Sequence, residues 1–144
     1  MHVGDPVFRS DALIQPLALS LAPRYRVVSL ALRDSVPYQL WFDDLFGVLK
    51  QFGFGAPILI GERLGCLAAL LVAAWCPSEV GGLVLIDPHY DPPAGDGLAA
   101  QALRDCPPDW PALRSAVHCR VLVTSASDVA LTGDVEALLA ATLP

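Results

Sequence analysis

The chain has 144 residues, nine Lys+Arg against fifteen Asp+Glu for a formal net charge of -6, and is 54% hydrophobic with 17% charged residues. That length predicts one domain over residues 1–144 with a single core. The apolar share excludes intrinsic disorder for most of the chain. The acidic balance, with no basic run, disfavours nucleic acid as a partner.

The four cysteines, Cys66, Cys76, Cys106 and Cys119, form no CxxC pair. Neither a metal site nor a disulfide framework is predicted, no cofactor is expected, and the cysteines read as reduced thiols of a cytoplasmic protein. Residues 12–22 follow Arg9 and resemble the apolar region of a secretory signal, but Asp5, Asp11, Gln15 and Pro16 interrupt it. An amphipathic helix over residues 11–21 accounts for the same residues. The longest apolar stretch, residues 64–75, falls short of the roughly 20 residues a membrane span needs. It reads as a buried helix, and no membrane span is expected.

After the first helix and the break at Pro23, the β-branched apolar run of residues 25–32 predicts a strand. A loop over residues 33–37 leads to a helix over 38–52, with Leu40, Trp41, Leu45, Phe46 and Leu49 at helical intervals and Gly53 and Gly55 as its stop. Residues 57–60 form an all-apolar strand whose lack of alternation means both faces are covered. The helix over 64–75 comes next, ending before Pro77, then a strand over 82–86. Two Pro-Pro pairs fall in 89–109, which reads as a loop with a short helix at 98–103. A helix over 110–117, a strand over 119–124 and a helix over 134–142 close the chain. Strands alternating with helices at this spacing predict an α/β fold with a parallel sheet and right-handed crossovers. Ligands of such sheets sit beyond the carboxyl ends of the strands, so the loops at 5–10, 33–37, 61–65, 87–91 and 125–128 hold the candidate site.

The most informative segment is Ile58-Leu59-Ile60-Gly61-Glu62-Arg63-Leu64-Gly65-Cys66. A strand running through Gly-x-x-x-Gly straight into a buried helix has the frame of a nucleophile elbow, and here the chain resembles an α/β-hydrolase. Residues 21–28 resemble the junction of the family's helix A with strand 4, and residues 43–54 its helix B. Residues 76–88 resemble helix C running into strand 6, residues 118–123 resemble strand 7, and His2-Val3-Gly4 stands where the His-Gly of the oxyanion loop would be. The resemblance implies a doubly wound, mostly parallel sheet of about five strands in the order 2-1-3-4-5, a minimal α/β-hydrolase core.

The departures from that pattern bear most on function. The nucleophile position maps onto Arg63, whose guanidinium stays protonated and cannot attack a carbonyl. Asp128 maps onto the family acid, but the chain stops at Pro144 before the expected general-base histidine, and it starts at the oxyanion loop. No triad assembles in the usual way, which leaves binding and an oxyanion pocket. Cys66 reads as a buried thiol, His118 should lie far from the site, and Ser35, Ser125 and Ser127 read as turn residues. His89, just past a strand end, and Asp128 are the remaining acid-base candidates.

Arg63 at a helix N-terminus also suits a small anionic ligand, a carboxylate or a phosphate, with Leu64, Gly4 and Asp87 around it. The competing reading pairs Arg63 with Asp128, Asp87 or Glu62 as a structural ion pair. Two functional expectations follow. One is a noncatalytic α/β-hydrolase-like binding, accessory or structural subunit. The other is a divergent hydrolase acting on an ester, thioester or small acidic substrate through His89, Asp128 and Arg63. Residues 25–32 and 119–124 should lie at the two sheet edges, and a mean hydropathy of +0.51 predicts apolar surface to cover. A homo-oligomer or a larger complex joined through those edges is therefore expected.

Overall fold

The computed structural model describes residues 2–4, 11–33, 36–88 and 97–142. In chain order these form β1 (His2–Gly4), α1 (Asp11–Leu21), β2 (Ser29–Ala31), α2 (Gln39–Phe52), β3 (Ile58–Glu62), α3 (Gly65–Trp75), β4 (Gly82–Ile86), α4 (Leu98–Asp105), α5 (Trp110–Ser115), β5 (Arg120–Thr124) and α6 (Leu131–Thr142). A single 3-10 turn, Pro77–Glu79, follows α3. The class is α/β, as the alternation of apolar patterns predicts. The strands lie in the order β2-β1-β3-β4-β5, and every pairing is parallel.

Strand pleating divides the apolar residues between two cores. Leu59, Leu83 and Leu85 point to one face, where they meet Trp41, Leu45 and Leu49 of α2 and nearly the whole of α3. Ile58, Ile60, Val84 and Ile86 point to the other, against Leu17 and Leu21 of α1 and Leu131, Val135 and Leu139 of α6. Covering both faces explains why β4, and β3 up to its final Glu62, are apolar without alternation, and why both are buried along their length. Nine consecutive residues of α3, Gly65 to Ala73, are buried, so up to its last two residues this helix has no solvent face and needs none of the polar stripe that α2 carries. Burying one such leucine, Leu67 for instance, contributes about 1.5–3 kcal/mol.

Local chemistry sets the helix ends. Gly53 takes φ 59 after α2 and donates its N–H to the Leu49 carbonyl at 3.1 Å, a left-handed cap that a β-carbon would penalise. The start of α2 is tied down from both sides: Tyr38 donates its hydroxyl to the Cys106 carbonyl at 3.0 Å, and Trp41 donates Nε1 to the Arg33 carbonyl at 2.8 Å. Arg33 grips Asp44 with two 2.7 Å bonds in fork geometry.

Several expectations are corrected. The strand predicted over residues 25–32 shrinks to Ser29–Ala31, the stretch that pairs with His2, Val3 and Gly4 of β1 among the described residues. Tyr25 and Val27 pack against the α1/α6 core instead. Arg26 lies 4.8 Å from the Phe54 ring centre and donates Nη1 to the Phe52 carbonyl. His2, Val3 and Gly4, which the resemblance assigns to the oxyanion loop, form a strand between β2 and β3. Helix α6 begins at Leu131, three residues before the predicted Asp134, since Asp128 already turns the chain there by accepting the Ala130 N–H at 2.9 Å. Helix α5 ends at Ser115, two residues short of the predicted end.

Candidate functional site

The register aligns Glu62 with Ile86 and Ile86 with Thr124, so the residues that follow them, Arg63, Asp87 and Ser125, leave the sheet side by side at its carboxyl edge. Each step is stitched to the next strand. Arg63 donates its N–H to the Ile86 carbonyl at 2.9 Å, and Asp87 donates its N–H to the Thr124 carbonyl at 3.0 Å.

The elbow predicted from the glycine spacing is formed. Arg63 has φ 52, a left-handed conformation that non-glycine residues adopt at a cost of order 1 kcal/mol or more. Gly61 lets the chain turn so sharply. A β-carbon there would sit 2.8 Å from the Cys66 Cα and N and from the Gly65 carbonyl oxygen, all three of them backbone atoms that cannot step aside. The first turn of α3 starts at once, with the Cys66 N–H on the Arg63 carbonyl and the Leu67 N–H on the Leu64 carbonyl. The side chain at the apex is thus a half-buried arginine, held where a strained backbone presents it at the edge of the sheet.

The neighbouring residues fall into distinct roles. Leu64 is buried and its side chain belongs to the α2/α3 core, so only its backbone can face a ligand. Gly4 ends β1, whose Val3 pairs with Gly61, and therefore lies one register step from the elbow. Cys66 is fully buried; its thiol points to the Gly61 and Ile86 carbonyls at 3.3 and 3.6 Å, and burial pushes its pKa up to about 12. A thiol that stays protonated is no nucleophile, in agreement with its reading as a core residue. His118 is exposed at the amino end of β5, the opposite end of the sheet from Arg63. His89 and Ser35 lie outside the described residues.

Both acids of the site bind backbone amides. The Asp87 carboxylate reaches across to β5 and accepts the Ala126 N–H at 3.0 Å; Asp87 itself has φ 44, a second left-handed residue without a glycine's freedom. Asp128 accepts the Ala130 N–H at 2.9 Å through Oδ1, while its Oδ2 lies 3.4 Å from the Thr124 hydroxyl. The Ser125 and Ser127 hydroxyls meet at 3.0 Å and remain within their own turn, as the sequence suggests. Two features escape the sequence reading. Nothing in residue type announces that Asp87 clasps the β5–α6 turn, or that Glu62 is 4% exposed at the end of β3. An all-apolar strand followed by an acid is the one local signal for the second, and it is a weak one.

Among the described residues no group of His, Cys, Asp and Glu is arranged to hold a metal, the four cysteines are free, and no helix is long and apolar enough to cross a membrane. No protein-family model matches the chain. The chain is 28% identical over 89 residues to a Haemophilus influenzae protein named "Putative esterase/lipase", an alignment covering 56% of this chain and 31% of that protein. It is 27% identical over 103 residues to the 2-(acetamidomethylene)succinate hydrolase of Mesorhizobium japonicum, covering 64% of this chain and 37% of the relative. The chain therefore spans about a third of the length of these curated relatives, and what it shares with them is a partial similarity to hydrolases.

Proposed function

We propose that this chain is a noncatalytic α/β-hydrolase-like protein that serves as a binding, accessory or structural subunit. One observation carries the reading: the apex of a formed elbow, strained at φ 52 and made possible by Gly61, presents Arg63. A guanidinium has no lone pair to attack with and cannot act as a base, so the position that delivers a nucleophile in this fold delivers a cation. Partial similarity to an esterase/lipase and to a hydrolase supports reading the five strands and the β3–α3 elbow as a hydrolase core. The edge around Arg63, Gly4, the Leu64 backbone and Asp87 then suits a small carboxylate or phosphate, and the apolar sheet edges suit self-association or a larger protein partner. A cytoplasmic setting fits four free thiols.

The second reading, a divergent hydrolase of esters, thioesters or small acidic substrates, has the similarity to hydrolases in its favour. Turnover of a panel of p-nitrophenyl esters and acyl thioesters by the full chain and by Arg63→Ala separates the two. The subunit reading expects both proteins to stay at the rate of the buffer. Turnover by the full chain that falls at least about a hundredfold in Arg63→Ala would establish the hydrolase instead.

A further inference from the structure

We draw no further inference here: the strongest candidate, the aromatic surface patch that Phe42 and Phe46 of α2 form with the exposed Trp75 at the end of α3, is an unpartnered apolar face, and nothing in the structure shows what covers it.

Discussion

Two connections leave the sheet at the same edge, β3 to α3 and β5 to α6, and they are built in opposite ways. At β3–α3 the turn is made by backbone alone: Gly61 pressed against three backbone atoms, Arg63 at φ 52, and a helix that starts without any side-chain cap. At β5–α6 the turn is made by side chains: Asp128 on the Ala130 amide, Asp87 on the Ala126 amide, and Ser125 on the Ser127 amide. The first holds one half-buried position in a fixed, costly conformation. The second is an ordinary polar turn in which each residue could be replaced at modest cost. A strained apex kept in place of a relaxed one is the pattern of a site where the side chain's position matters.

Gly61→Ala should break the contrast outright. The added β-carbon has no flexible neighbour to displace, so unfolding free energy measured by urea denaturation should fall by more than about 3 kcal/mol. A loss below about 1 kcal/mol would mean that the elbow can relax and is not the rigid frame described. Asp128→Ala should cost about 1 kcal/mol, through the lost turn at the start of α6, with the rest of the structure unchanged. A larger loss would make the β5–α6 turn as demanding as the elbow and remove the distinction. Arg63→Gly should have the smallest effect, a net change within about 0.5 kcal/mol, because relief of the left-handed strain is offset by the greater freedom of glycine when unfolded and by the lost contacts of a half-buried side chain. A clear destabilisation would instead show that the Arg63 side chain contributes more to the fold than its backbone costs.

Much of this site can be read along the chain because elbows are local. Gly61 and Gly65, the apolar run before them and the apolar run after them lie within a few turns of each other, and so the strand–turn–helix and its apex are visible in the residue order. The remaining parts come from distant segments. Asp87 and Ala126 are far apart in sequence, and their bond exists because β4 and β5 pair in one register. The predicted strand over residues 25–32 failed for a related reason. Its residues have strand character, but a ladder needs a partner, and among the described residues β1 supplies three.

What the residue order determined by itself was the class of the protein. Runs that are apolar on all sides can only be interior, so β3, β4 and α3 had to be covered on both faces, and the alternation of strand and helix then required a layered α/β arrangement. Arg63 at the centre of Gly-x-x-x-Gly likewise placed a cation where this frame turns. Tertiary structure decided the conformation and surroundings of that cation: the left-handed backbone, the buried Glu62 before it, and the acids committed to amides beside it. Those depend on register between strands, which is set by packing two cores at once, and no local preference of any one residue contains it.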